Sequence, residues 1–111
     1  MNLPYIRIET NIETKEDLLK GLSSLVSKLL GKPERYVMAS IETKKMIFDG
    51  KMDPCAFVEL KSIGLPEGRT DKLSGELCDF IEKNTGIKKD RIYINFVDFK
   101  GSMWGWNGTT F

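Results

Sequence analysis

The chain carries an internal repeat. Moving 55 positions forward takes Ile8 to Ile63, Leu18 to Leu73, Leu22 to Leu77, Val26 to Ile81 and Gly31 to Gly86. The repeated unit is strand, helix, strand. In the first copy Ile6 and Ile8 alternate with Arg7 and Glu9, the period-two pattern of a half-buried strand. Pro4 suits the first strand position because it has no N–H to give to a ladder. Leu18, Leu22, Leu25 and Leu29 then recur at helical spacing, with Leu19, Val26 and Leu30 widening the stripe. Thr14 is the expected N-cap, with Asp17 as a variant of the capping-box acid. Gly31 is the expected left-handed residue after the helix, and Pro33 prevents its continuation. Tyr36 to Glu42 closes the unit as a strand, with Val37, Ala39 and Ile41 on one side.

The second copy follows the same grammar. Cys55 to Ile63 predicts a strand with Ala56, Val58 and Leu60 inward, and Gly64 to Gly68 a turn. A helix starts near Thr70, presents Leu73, Leu77, Phe80 and Ile81, and stops at Gly86. Ile92 to Phe99, dense in β-branched and aromatic residues, is the last long strand. Between the copies, Met46-Ile47-Phe48 predicts a short edge strand before a turn at Asp49-Gly50.

A strand–helix–strand unit sets its two strands parallel, joined by a right-handed crossover. Two copies predict a two-layer α/β (α+β) fold: a four-stranded mixed sheet with two helices on one face. The other face then lacks a cover. Its residues are expected to be apolar and buried by a partner, most economically a second copy of the chain. All 111 residues make one domain, 1–111, by length.

Composition removes several chemistries. A net charge of +1 points to neither a nucleic-acid surface nor an acidic tail. No apolar run is long enough to span a membrane, and no secretory signal is expected. Histidine is absent, which removes the commonest general base and zinc ligand together with every Ser-His or Cys-His pair. Cys55 and Cys78 are too few for a disulfide framework, so reduced thiols in a cytoplasmic setting are the expectation. Cys55-Ala56-Phe57-Val58 lacks the second cysteine of a redox motif, and Cys78 reads as a small core residue. No phosphate-cradling glycine loop occurs.

Few residues are left to carry chemistry. Lys32, just past a helix end, either complements the helix dipole or binds an anion. Tyr93 and Asn95 share one strand face, and an amide there requires an internal network, a subunit contact or a ligand. The aromatic tail holding Trp104 and Trp106 either plugs a core or interface or walls a site.

A set of local sequences narrows these alternatives. It comprises Pro4, Thr10-Asn11, Gly31-Lys32-Pro33, Tyr36-Val37-Met38, Asp53-Pro54-Cys55-Ala56 and Ser62-Ile63-Gly64, then Asp90-Arg91-Ile92-Tyr93-Ile94-Asn95 and the closing Gly105-Trp106-Asn107-Gly108-Thr109-Thr110-Phe111. Together they resemble the macrophage migration inhibitory factor family of the tautomerase superfamily, in order, over residues 4–111.

The resemblance implies a homotrimer whose sheets line a central barrel, with no cofactor or metal. It implies keto–enol tautomerisation of phenylpyruvate-type acids, and isomerisation of dopachrome-type compounds in many members. The family's base is the amine of an N-terminal proline, the position matched by Pro4. Lys32 matches the residue that pairs with the substrate carboxylate, and Ile63 matches a backbone hydrogen-bonding position. Tyr93 and Asn95 match residues supplied by the neighbouring subunit. Tyr36, Met38, Trp104, Trp106 and Phe111 match the aromatic wall and rim, and the bulk of Trp104 implies a narrow mouth. Some family members are secreted without a signal peptide, so export is the alternative to a cytoplasmic location.

An N-terminal amine has a reference pKa of about 8, and an apolar pocket beside a cationic lysine favours its neutral form. A neutral amine can take a proton from the substrate α-carbon while cations hold the carboxylate and developing enolate. Here Met1-Asn2-Leu3 precede Pro4, so this role requires their removal. With them attached the expectation is a non-catalytic, cytokine-like trimer that binds a protein receptor.

Overall fold

The computed structural model describes residues 3–111, so Met1 and Asn2 of the expected extension lie outside the described residues. The main elements are β1 (Tyr5–Thr10), α1 (Glu16–Leu30), β2 (Met38–Thr43), β3 (Ala56–Ile63), α2 (Thr70–Thr85) and β4 (Ile92–Phe99). They form one four-stranded sheet in the order β2-β1-β3-β4. Each repeat contributes a parallel pair: Tyr5 lies opposite Met38, and Ala56 opposite Ile92. The repeats join through antiparallel β1 and β3, with Tyr5 opposite Lys61. The sheet is therefore mixed, as the repeat predicts.

Alternation decides which face the helices cover. Ile6 and Ile8 of β1 and Val58 and Leu60 of β3 are buried against Leu22 and Val26 of α1 and Leu77 and Ile81 of α2. Fully burying an aliphatic side chain is worth about 1.5–3 kcal/mol, so this seam dominates the stability of the two-layer packing. Both helices end as expected, with Gly31 and Gly86 at positive φ (64° and 80°).

The second sheet face departs from expectation. Its centre is charged rather than apolar, because Arg7, Glu9, Glu59 and Lys61 alternate with the core there, while Tyr5, Phe57 and Val97 share the same face. Arg7 bridges Glu9 at 3.0 Å and Glu59 at 3.1 Å, Lys61 reaches Glu59 at 3.3 Å, and Lys44 reaches Glu9 at 2.6 Å. These ions satisfy one another, so the centre of the face tolerates water. Met38 and Tyr93, both exposed, bring large side chains to its two edge strands.

Three local expectations also change. The residue before α1 is Lys15, with no side-chain cap, rather than Thr14. Glu16 and Asp17 at its start are exposed and complement the dipole, while the Leu18 amide donates to the Lys15 carbonyl at 3.0 Å. Tyr36 belongs to a 3-10 turn, Glu34–Tyr36, and β2 starts two residues later than the alternation suggests. The expected edge strand at Met46-Ile47-Phe48 reduces to one bridge, Phe48 to Lys51, around Asp49-Gly50 with both residues at positive φ (57° and 66°).

The tail is ordered. After a 3-10 turn at Gly101–Met103 it folds into a hairpin of β5 (Gly105–Trp106) and β6 (Thr109–Thr110). The Phe111 amide donates to the Gly101 carbonyl at 3.0 Å and closes the loop. A Cβ at Gly101 would sit 2.7 Å from the Phe111 oxygen, so only glycine fits.

Candidate functional site

Pro4 enters β1 fully buried, and its carbonyl accepts from the Met38 amide at 3.0 Å. A cavity of about 360 Å³ opens beside it, lined among others by Tyr36, Met38, Trp104 and Trp106. Each wall residue is fixed by a local cause. The 3-10 turn presents Tyr36, and the start of β2 presents Met38. Trp104 is seated edge-on against Phe99, with centroids 5.3 Å apart. The hairpin carries Trp106, which meets Tyr36 edge-to-face at 6.1 Å and stacks with Phe111 at 6.3 Å. Aromatic contacts of this kind add about 0.5–1.5 kcal/mol each beyond burial and hold the wall's shape. Pro4, Tyr36, Met38, Trp104 and Trp106 thus line one cavity, whereas Phe111 stacks on Trp106 without lining it.

Lys32 and Ile63 lie at the same end of the sheet but not in that cavity. Tyr5 opposite Lys61 places Pro4 level with Ser62, next to Ile63. Lys32 follows the left-handed Gly31, its amide donating to the Ser27 carbonyl at 3.0 Å. It lines a neighbouring cavity of about 220 Å³ with Ser62 and Gly64.

Tyr93 and Asn95 are separated from Pro4. They pair with Phe57 and Glu59, whereas the Pro4 end of the sheet is Lys61 to Ile63. Tyr93 is thus about 13 Å along the strand from that end, at roughly 3.3 Å per residue. It packs on Phe48 at 4.6 Å and lines a third cavity of about 660 Å³. Asn95 is exposed and has no hydrogen-bond partner among the described residues, so no network within the chain claims its amide. One chain does not bring these two residues to Pro4.

Two further residues at the Pro4 cavity were not anticipated. Leu3 is buried at 6% exposure and lines it, as does Arg35. The adjacency of Arg35 to Tyr36 was the available clue; the burial of Leu3 had none. With Leu3 attached the Pro4 nitrogen is an amide without an N–H and cannot act as a base. Among the described residues no cluster of three or more acids or cysteines could hold a metal ion, and no helix is long and apolar enough to cross a membrane.

The chain matches the macrophage migration inhibitory factor family over residues 3–111. It belongs to that family. It is 40% identical to a macrophage migration inhibitory factor homolog of Trichinella spiralis, over 98% of this chain and 100% of that protein. It is 38% identical to macrophage migration inhibitory factor of Xenopus tropicalis, over 98% and 99% of the two chains. Among solved structures, a macrophage migration inhibitory factor homologue from Prochlorococcus marinus superposes with a TM-score of 0.90 at 46% identity, covering 96% of this chain and 98% of that one. The Trichinella spiralis structure superposes with a TM-score of 0.91 at 37% identity, covering 96% and 99%. The fold and the tautomerase superfamily assignment of this family therefore hold for this chain, including the β5–β6 tail within the matched span.

Proposed function

We propose that this chain is a tautomerase of phenylpyruvate-type keto acids, with the Pro4 amine as general base once Met1, Asn2 and Leu3 are removed. The observation carrying this reading is the meeting of Pro4 with an aromatic cavity of about 360 Å³, a size suited to one small aromatic acid. The neutral amine removes a proton from the α-carbon of the keto form, the electron pair moves onto the carbonyl oxygen as an enolate, and protonation there gives the enol. Lys32 at the same sheet end supplies a cation for the carboxylate, and the Ile63 backbone a polar contact. A dopachrome-type substrate fits the same flat, aromatic walls.

Tyr93 and Asn95 serve a neighbouring subunit's Pro4 rather than their own, in a homotrimer. Their distance from Pro4 and their unclaimed polar groups support this, as do the exposed Met38 and Tyr93 at the two sheet edges.

A second reading, a non-catalytic trimer that binds a protein receptor, draws on the burial of Leu3 against the same cavity, which leaves Pro4 an amide. Acetylating the amine of a chain starting at residue 4, which makes it an amide as Leu3 does, separates the two. General-base catalysis contributes about 10²–10⁴-fold, so phenylpyruvate turnover should fall at least about a hundredfold while the oligomeric state is kept. Unchanged turnover would show that another group is the base.

A further inference from the structure

The cavity beside Pro4 contains a cation that proton abstraction at the α-carbon does not use. Arg35 sits on the 3-10 turn Glu34–Tyr36 and lines that cavity. Its guanidinium lies over the Tyr36 ring at 4.8 Å from the centroid, and Nη2 donates to the Tyr36 hydroxyl at 3.3 Å. Stacking on a phenol leaves the positive charge intact. Among the described residues no carboxylate pairs with it, including the adjacent Glu34.

Two other arginines show what a committed guanidinium looks like in this fold. Arg7 is held between Glu9 and Glu59, and Arg91 spends its donors on four backbone carbonyls. Arg35 has five N–H donors and gives one to Tyr36, leaving a planar fork that suits a carboxylate held by two parallel hydrogen bonds. The stack on Tyr36 orients that fork in advance, so little side-chain freedom is lost on binding.

Lys32 lies at the sheet end with Ser62 and Gly64, whereas Arg35 shares the Pro4 cavity with Trp106. A flat ligand that extends from the Pro4 cavity to the sheet end would meet Lys32 as a second cation, remote from Arg35. We propose that Arg35 makes the Pro4 cavity selective for dianions: flat aromatic acids bearing a second carboxylate on the ring, remote from the first. This rests on reading the cavity as the substrate site, and it specifies the substrate class as aromatic keto acids with an acidic ring substituent.

Binding can be read without turnover, because Trp104 and Trp106 line the cavity and report on it by fluorescence. Benzoate and benzene-1,4-dicarboxylate are titrated into the full chain at low salt. The dicarboxylate should bind about fivefold more tightly, the effect of one exposed ion pair of about 1 kcal/mol. Arg35→Gln should abolish that preference and leave benzoate affinity within about twofold, Arg35→Lys should keep part of it, and 1 M salt should erase it. Equal affinities in the unmodified chain would overturn the proposal, and so would Arg35→Gln weakening both acids alike, which would make Arg35 a prop for Tyr36. Failure of both acids to quench would overturn it together with the substrate-site reading. Turnover of phenylpyruvate by a chain starting at Pro4, without a dicarboxylate preference, would overturn the dianion proposal alone.

Discussion

Arg91 connects the second half of the fold to the loop between the repeats, and removing it should loosen that loop measurably. Its Nε donates to the Pro54 carbonyl at 2.9 Å, Nη1 to Phe48 at 3.1 Å, and Nη2 to Lys51 at 3.2 Å and Asp53 at 3.0 Å. It also lies over the Phe48 ring at 5.3 Å, the ring that packs on Tyr93. A hydrogen bond from a charged donor contributes about 1.5–3 kcal/mol when buried. Three of the four carbonyls belong to exposed residues that water can reach in the variant, so the four bonds together are worth far less than their sum. Arg91→Ala should cost about 2 kcal/mol in urea unfolding at a fixed protein concentration. Arg91→Lys should recover less than half, because an ammonium cannot address four carbonyls in one plane. By hydrogen exchange, the Phe48 and Lys51 amides, which bond each other's carbonyls at 2.9 and 3.0 Å, should open about thirtyfold more often. A loss below about 0.5 kcal/mol with unchanged protection of Phe48 and Lys51 would refute the idea that Arg91 holds this loop.

Other consequences follow from the core and the charged face. Leu22 is fully buried between helix and sheet, so Leu22→Ala should cost about 3 kcal/mol by denaturant midpoint; a loss under about 1 kcal/mol would mean the seam collapses around the cavity. Hydrogen bonding from Lys44 holds the Glu9 carboxyl below its ordinary value of 4.5, against burial and with help from Arg7. Burial pushes the Glu59 carboxyl up, but Arg7 and Lys61 outweigh it and leave it below 4.5 as well. Folded values lowered in this way stabilise the native state fully above about pH 4.5, and the contribution is lost as pH falls through the lowered values. Stability should therefore drop on the acid side, and Glu59→Gln should flatten that drop in urea midpoints taken from about pH 6 to pH 2. An unchanged slope would remove Glu59 from the account.

The repeat made most of the fold readable from the sequence. Spacings such as Leu18 to Leu73 and Gly31 to Gly86 mark helices and their ends through local physics, and local physics prevailed there. The charged face was misjudged although Arg7, Glu9, Glu59 and Lys61 were visible in the alternation. Open sheet faces invite an apolar cover, but Arg7 pairs with Glu9 and Lys61 with Glu59 along their own strands, and the Arg7–Glu59 bridge that joins the two pairs exists only once β1 and β3 meet. Thr14 failed as a cap because an exposed first turn imposes little demand on its cap. Pro4, Tyr36, Met38, Trp104 and Trp106 line one cavity although they are far apart in the sequence. The hairpin that delivers Trp106 was not read, since Asn107-Gly108 joins strands of only two residues each. Leu3 and Arg35 escaped because lining a cavity is a tertiary fact with no periodic trace.

Tautomerisation by this chain requires Pro4 to become a free amine in the working protein. Mass spectrometry of the N-terminus, on protein from its native source, paired with phenylpyruvate turnover by the same material, tests it directly. The expected result is chains beginning at Pro4, with activity in proportion to their abundance. Chains that all retain Leu3, whether inert or as active as the trimmed form, would contradict it.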